Sequence, residues 1–282
     1  MSGILYLVAT PIGNLEDITL RAIRVLREAA LVACEDTRRT RGLLTHLDIH
    51  TPILSLHEHN EAARIPRILD ALREGKHVAV VSDAGTPVVS DPGAALVGAA
   101  VEAGFRVVPI PGPSAVTAAV SLADFPALTF TFVGFLPRRR SERTGLLSAL
   151  AGLPVALVIF EAPHRIRETL ADIDAVLGNR RMLLARELTK VHEEVLRGTA
   201  AEIRAVLPAA PRGEVTLVIE GAPKEAARRE DTRADAGPRL APQAFLKRLM
   251  AEGLSRRDAA RALAAAYDMP SREAYRLASK ES

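Results

Sequence analysis

The chain has 282 residues, of which 48% are apolar, 37 are Lys or Arg and 34 are Asp or Glu. That is enough apolar material for roughly two domains of ordinary size, and it excludes global disorder. A single cysteine, Cys34, excludes an internal disulfide framework and suits a reducing cytosol, and the lack of Trp with only 4% aromatics points to an aliphatic core.

From the N-terminus, Met1–Tyr6 has no basic start and leads directly into a strand, so no secretory signal is expected. No uninterrupted apolar run approaches the ~20 residues of a membrane span. A cytoplasmic protein without membrane association is therefore expected. Apolar runs at Ile4–Ala9, Leu31–Cys34, Ile53–Leu56, Val78–Val81 and Arg106–Pro109 read as strands. Between them, Thr19–Ala30, Thr37–His46, Glu61–Arg73 and Ala94–Ala103 carry apolar residues three or four apart and read as helices. This alternation predicts a mostly parallel sheet covered on both faces. Cys34 lies in one of the runs with no activating base in view, so it reads as a core residue.

A second α/β unit starts near Thr129. Strands are expected at Thr129–Val133, Val155–Phe160, Met182–Ala185, Glu193–Arg197 and Val215–Glu220, with a short helix over Thr199–Leu207. The close spacing of the last strands predicts a mixed sheet. The join near 124–128 is short, which places a cleft between the two units. The resulting fold class is α/β: domains at 1–123 and 124–222, a linker at 223–239, and a helical domain at 240–282. The linker stretch Pro223–Pro238 is charged and rich in Pro, Gly and Ala. Gln243–Ala251, Arg256–Ala265 and Arg272–Ala278 read as three helices, with Ser255 and Ser271 as N-caps and Gly253 as a helix end. The last 43 residues carry eight Lys or Arg against five Asp or Glu. That permits contact with nucleic acid and equally describes a solvated helical tail.

Three loops stand out. Ala9-Thr10-Pro11-Ile12-Gly13-Asn14, Ser82-Asp83-Ala84-Gly85-Thr86-Pro87 running on to Gly93, and Pro109-Ile110-Pro111-Gly112-Pro113-Ser114 each follow a strand. Small, rigid residues at strand carboxyl ends let a ligand come close to the backbone. In the first loop Ala9, Pro11 and Asn14 stand where a dinucleotide fingerprint needs glycines, and the second lacks the P-loop pattern. A nucleoside-like ligand without phosphate is the expectation.

Other clusters have two readings each. His57-Glu58-His59 puts two imidazoles on one face of an extended segment. It is a metal site lacking a third ligand, a substrate contact, or a hydrogen-bonded edge. Asp36 is an N-cap or an acid–base group, and Arg38, Arg39 and Arg41 bind phosphates or coat a helix. The run Pro137-Arg138-Arg139-Arg140 after a strand suits a phosphodiester chain, or a solvated turn. Glu161–Arg165 and Arg186–Lys190 are polar clusters at strand ends, functional or ion-paired.

Taken together, Ala9–Arg21, Glu35–Arg38, His57–Glu61, Ser82–Gly93 and Pro109–Ala115 resemble the tetrapyrrole methylase superfamily. Gly134–Pro137, Glu161–Arg165, Ala185–Lys190 and Arg197–Thr199 bring the resemblance closer to its branch of small-subunit ribosomal RNA ribose methyltransferases. The similarity covers roughly residues 4–221, and the C-terminal helices resemble that branch's helix-turn-helix appendix. The tetrapyrrole-modifying relatives typically have a Gly-rich first loop and Gly-Asp-Pro in the second, where this chain has Ala9-Thr10-Pro11 and Gly85-Thr86-Pro87.

The resemblance implies S-adenosylmethionine as methyl donor, no metal, and usually a homodimer. It places donor contacts at Ile12, Thr86 and Val89, beside Asp83 and Gly85, at Ser114 and Ala115, and at Phe160, Ala185 and Glu220. The implied acceptor is a cytidine 2′-hydroxyl in the decoding region of 16S rRNA, within the small ribosomal subunit. RNA contacts are expected at Arg38, His57, His59, Arg138, Arg139 and Arg140. A ribose hydroxyl needs a base, and Asp36, Glu161 and Glu187 are carboxylates at strand ends, with Lys190 or Arg186 to stabilise oxygen charge. The residues do not select among them; Glu161 is the first to test. A tetrapyrrole or other small-molecule methyltransferase and a ligand-sensing helix-turn-helix regulator are the competing readings.

Overall fold

The computed structural model describes residues 2–223, 241–251, 255–267 and 269–280. The chain divides into two compact units, Met1–Pro223 and the part that follows.

The first unit opens with β1 (Ile4–Val8), α1 (Leu20–Glu28), β2 (Leu31–Cys34), α2 (Thr37–His46), β3 (Ile53–Ser55), α3 (Glu61–Arg73), β4 (Val78–Val81), α4 (Ala94–Glu102) and β5 (Arg106–Ile110). These strands form a five-stranded sheet in the order β3-β2-β4-β1-β5, parallel throughout. Buried side chains cover both faces, Val8, Val32 and Val81 on one and Leu5, Ala33 and Val80 on the other. Central strands are thus continuous apolar runs rather than alternating ones. Pro109 is accommodated because β5 is an edge strand. Thr19 caps α1 by accepting from the Ala22 N–H at 3.1 Å, so that helix is one residue shorter at its start than the apolar pattern suggests. Cys34 is buried, which pushes its thiol pKa up and fits the core reading.

The chain then crosses through α5 (Ala115–Ser121) to a second sheet. It contains β6 (Phe130–Phe135), α6 (Arg140–Leu150), β7 (Ala156–Glu161), α7 (Ile166–Leu177), β8 (Met182–Arg186), β9 (Glu194–Gly198), α8 (Ala200–Val206) and β10 (Val215–Ile219). Strand order is β6-β7-β10-β8-β9; β6 and β7 are parallel and the other pairs antiparallel. Alternation sorts the two faces. Leu157, Ile159, Leu184 and Leu217 pack with Ile166, Leu170 and Ile173 of α7. Val158, Leu183, Ala185 and Val218 face Ile12, Val116 and Ala119, which come from the first loop and α5. The two halves therefore share a core. Burying each such aliphatic side chain stabilises by roughly 1.5–3 kcal/mol.

Two sequence expectations shift here. The strand read as Thr129–Val133 runs on to Phe135 through a β-bulge between Phe132 and Gly134. Arg140, expected in a loop, is the first residue of α6, and Arg139 is its N-cap. Arg140 and Arg143 both reach the buried Asp172 of α7, at 2.9 and 2.6 Å.

In the second unit, α9 (Pro242–Ala251), α10 (Arg256–Ala266) and α11 (Ser271–Lys280) bury Leu246, Ala259, Leu263, Ala274 and Ala278 together, and Phe245 meets Tyr267 at 5.5 Å. Ser271 opens α11 rather than preceding it. The linker stretch beyond Pro223 and the helix end expected at Gly253 lie outside the described residues.

Removing Asp172 would leave Arg143 buried without its buried counter-charge, with only the exposed Glu168 at 3.9 Å. Asp172→Ala should cost about 3–5 kcal/mol in urea unfolding; a loss below about 1 kcal/mol would mean the pair does not hold α6 on α7.

Candidate functional site

In the first sheet β1 lies between β4 and β5, so the three Pro- and Gly-rich loops emerge side by side at the strands' carboxyl ends. The strand order changes direction there, the usual ligand position in an open α/β sheet. Loop one is tied to loop two by a two-way bridge: Thr10 N–H donates to Gly85 at 2.9 Å, and Gly85 N–H donates back at 3.0 Å. The Thr10 hydroxyl also donates to the Ser82 carbonyl at 3.2 Å. Loop three comes close because Gly112 has no Cβ; one there would stand 3.0 Å from the Ala9 Cβ. The Thr86 hydroxyl reaches the Pro113 carbonyl at 3.5 Å.

Loop one also touches the second sheet. A Cβ on Gly13 would lie 2.7 Å from both the Leu188 carbonyl oxygen and Thr189 Oγ1. The Asn14 N–H donates to that same Thr189 hydroxyl at 3.0 Å. Glu187 and Thr189 both hold positive φ, so the turn after β8 bends sharply to meet the loop.

Between these loops and the carboxyl end of β7 lies a cavity of about 360 Å³. Ile12, Asp83, Gly85, Thr86, Val89, Ser114, Ala115 and Phe160, all singled out from the sequence, line it. Ala185 lies beneath, 1% exposed in the shared core. Glu220 is a correction. It follows the far end of β10, where it pairs with Arg181 at 2.7 Å. Antiparallel pairing brings the start of β10 to the cavity instead. Val215 and Thr216, the latter opposite both Phe160 and Ala185, are the β10 residues that line it.

The three carboxylates considered as bases each have structural partners. Asp36 caps α2 and accepts two hydrogen bonds from the Arg38 guanidinium, which hold its pKa well below the usual carboxylate range. Arg38 is thereby occupied and exposed, while its neighbour Arg39 lines the cavity. Glu187 accepts from Lys190 Nζ at 2.8 Å and from the Glu214 N–H, and the Lys190 bond lowers its pKa. Lys190 also reaches Glu214 at 3.1 Å. Burial pulls the ammonium's pKa down, but the two carboxylates outweigh it and leave it raised.

Glu161 borders the cavity with its carboxylate fully buried. One oxygen accepts from the Thr169 hydroxyl at 2.6 Å, the other from the Ala162 N–H at 2.8 Å, with Arg165 Nε 3.4 Å away. Arg165 in turn donates to the carbonyls of Leu136 and Pro137. Glu161 thus positions the segment leading into the basic run rather than serving as an open base.

His57 and His59 lie outside the cavity wall. The His57 N–H donates to Asn60 Oδ1, its Nε2 meets Asn60 Nδ2 at 2.9 Å, and the two rings pack edge-on at 6.0 Å. This is the hydrogen-bonded edge. Among the described residues no group of three or more His, Cys, Asp or Glu is placed to hold a metal, and no helix is long and apolar enough to cross a membrane.

Phe135, Glu214 and Thr216 line the cavity without having been singled out, Arg39 lines it after being read as a phosphate contact or a helix-surface residue, and Ser90 and Asp91 line it as parts of the second loop. Asp91 was legible as part of the second loop, but nothing in its spacing distinguished it. The loop turns it inward through Val88 and Ser90, both at positive φ. Burial, reinforced by the Glu35 and Asp83 charges and partly offset by a Ser82 hydrogen bond, pushes the Asp91 pKa up to about 6.

A parallel sheet and a mixed sheet joined around a loop-lined cavity define a class of methylase fold. The chain belongs to the tetrapyrrole (corrin/porphyrin) methylase family, whose model matches residues 4–204. Among its relatives is the ribosomal RNA small subunit methyltransferase I of Halalkalibacterium halodurans, 42% identical over 99% of this chain and 96% of that protein. The protein of the same name from Thermotoga maritima is 49% identical over 78% of this chain and 99% of its own length. Similar solved structures include uroporphyrin-III-C-methyltransferase from Thermus thermophilus, with 21% identity, TM-score 0.54, and 82% and 98% coverage. Diphthine synthase gives 16% identity, TM-score 0.61, and 80% and 99% coverage. At these identities the structures share the fold.

The folded protein keeps a proton on Asp91 that an unfolded chain releases near pH 3.8, so this group's contribution falls as pH rises from about 4 to about 6. Asp91→Asn should therefore gain stability relative to the parent across that window in urea midpoints; a constant difference would contradict the raised pKa.

Proposed function

We propose that this protein is an S-adenosylmethionine-dependent methyltransferase that modifies the ribose 2′-hydroxyl of a cytidine in 16S rRNA, in the decoding region of the small ribosomal subunit. The observation that carries the reading is the cavity itself, together with the relatives named ribosomal RNA small subunit methyltransferase I at 42–52% identity. A cytoplasmic location, expected from the sequence, and a homodimer, carried over from the family resemblance, belong to the same reading.

The residues present fit the donor. A volume of about 360 Å³ falls at the small end of the ~300–1,000 Å³ of small-molecule pockets. Ile12, Val89, Ala115 and Phe160 offer apolar surface to a nucleoside, and Thr86, Ser114 and Thr216 offer hydroxyls. Asp83 and Glu214 suit the positive charge of a sulfonium and an ammonium, and no phosphate-cradling glycine pattern is present. A related T. thermophilus structure is described as complexed with S-adenosyl homocysteine.

When bound, S-adenosylmethionine supplies a methyl group activated by its sulfonium. The chain's part is to align that carbon with the acceptor oxygen, which can be worth roughly 7–11 kcal/mol. Its second part is to take the hydroxyl proton as the oxygen acquires the methyl. Asp91 suits this role: it lines the cavity, and a pKa of about 6 leaves it ionised yet basic near neutral pH. Arg138, Arg139 and Arg140 suit the phosphates of the acceptor strand.

The residues that match the Thermotoga relative are about as many as the α/β unit holds, which supports methyl transfer residing in that unit. The small-molecule reading rests on distant structures that share only the fold, and the relatives named above carry a methyltransferase name rather than a regulator's.

With labelled S-adenosylmethionine, undermethylated small ribosomal subunits should take label at a cytidine ribose and a porphyrinoid should not. Asp91→Asn should bind the donor normally by calorimetry and transfer roughly 10²–10⁴-fold more slowly in single turnover. Label on the porphyrinoid alone overturns the substrate; an unchanged rate overturns Asp91.

A further inference from the structure

Among the described residues Phe135 is the one large aromatic side chain that both lines the cavity and remains more than half exposed, at 56%. Leaving such a ring in water forgoes burial free energy that neighbouring Leu136, 2% exposed, obtains. Its position is built rather than incidental. The β-bulge at Phe132/Gly134 gives β6 an extra residue, and Gly134 takes φ +74°, a conformation that favours glycine. A Cβ on Gly134 would press to 3.1 Å from Ser90 Oγ, so the bulge also seats β6 against loop two, next to Asp91. Bulges re-aim side chains beside functional sites. Here the result is a ring tilted on Phe160 at 5.7 Å, with Phe160 itself edge-on to Phe132 at 4.9 Å.

The segment that follows Phe135 is basic. Arg138 begins three residues on, at most about 10 Å of chain away. Arg139 and Arg140 follow, with side chains 83% and 77% exposed. The segment between is fixed: Arg165, held beside Glu161, donates to the carbonyls of Leu136 and Pro137 at 2.9 Å each. Arg140 is held by the buried Asp172. A flat apolar ring on the cavity lip, followed at once by a row of exposed guanidinium groups, matches a single nucleic-acid strand, whose bases are apolar on their faces and whose backbone is anionic.

We propose that Phe135 is the stacking platform for an unpaired nucleobase of the acceptor strand, holding the target nucleotide so that its ribose faces the cavity. This rests on the RNA methyltransferase reading above. Base stacking on an aromatic side chain contributes about 1–3 kcal/mol and tolerates any base, so Phe135 sets position while sequence choice lies elsewhere. Single-stranded RNA is commonly bound this way, with bases splayed onto aromatic rings.

The absence of Trp makes the test direct, because Phe135→Trp introduces the sole indole of the chain. Its emission should be quenched on titration with a short oligocytidylate and not with S-adenosylmethionine. Phe135→Leu, which keeps apolar bulk at an exposed position, should weaken oligocytidylate binding and raise KM for small subunits roughly tenfold to a hundredfold. Its calorimetric affinity for S-adenosylmethionine should match the parent's. Quenching by the donor, with loss of donor affinity in Phe135→Leu, would place the ring in the donor pocket and overturn the proposal. So would parental RNA affinity and KM in Phe135→Leu while the parent labels subunits normally. If the parent itself neither binds nor labels RNA, the functional reading falls and the subsite with it.

Discussion

The site depends on one close approach. Loop one is held on one side by the Thr10–Gly85 bridge and on the other by Gly13 lying against the backbone and side chain of Leu188 and Thr189. Neither contact admits a larger loop. A Cβ at position 13 would occupy the space of the β8–β9 turn, and one at position 112 would crowd Ala9. The first sheet, the second sheet and α5 therefore meet at fixed distances, with Ile12, Val116 and Ala119 packed on Val158, Leu183 and Ala185. The cavity is the space left where this shared core ends and the loops begin.

Charge is sorted along that space. Asp83, Asp91 and Glu214 line the interior, and Arg39 enters beside Asp83, its Nε 3.7 Å away. After Phe135 come the exposed guanidinium groups of Arg138, Arg139 and Arg140. A mainly acidic interior and a basic lip suit a cationic donor and an anionic acceptor, each drawn to its own part of the site. Other carboxylates carry structure, and Glu214 shares Lys190 with one of them, Glu187. Asp36, Glu161, Asp172 and Glu187 are each bound to an arginine or lysine and hold helix starts, loops or turns in place.

Much of this was legible in the sequence, for identifiable reasons. The parallel sheet announced itself because its strands are unbroken apolar runs between helical patterns, and the loops because Pro and Gly cluster at strand ends. Eight of the ten residues expected around the donor line the cavity. What was not legible depended on register and rotamer. Glu220 and Thr216 lie on neighbouring parts of one sequence segment, and only the antiparallel pairing of β10 decides which end reaches the site. Arg38 and Arg39 are adjacent, yet the Asp36 cap takes one and leaves the other to the cavity. Glu161 follows an apolar run as a catalytic carboxylate would, but Thr169 and Arg165, supplied by the next helix and its cap, engage it. Phe135 was hidden by a bulge, which no period-2 pattern reveals.

The most direct test of the central claim is donor affinity in Gly13→Ala, by calorimetry with S-adenosylmethionine, against Gly42→Ala as control, since a Cβ at Gly42 meets nothing within 4 Å. If the loop's close seating on the second sheet builds the pocket, Gly13→Ala binds the donor at least about tenfold more weakly, a change of about 1.4 kcal/mol, and Gly42→Ala binds it like the parent. Parental affinity in Gly13→Ala would contradict the account.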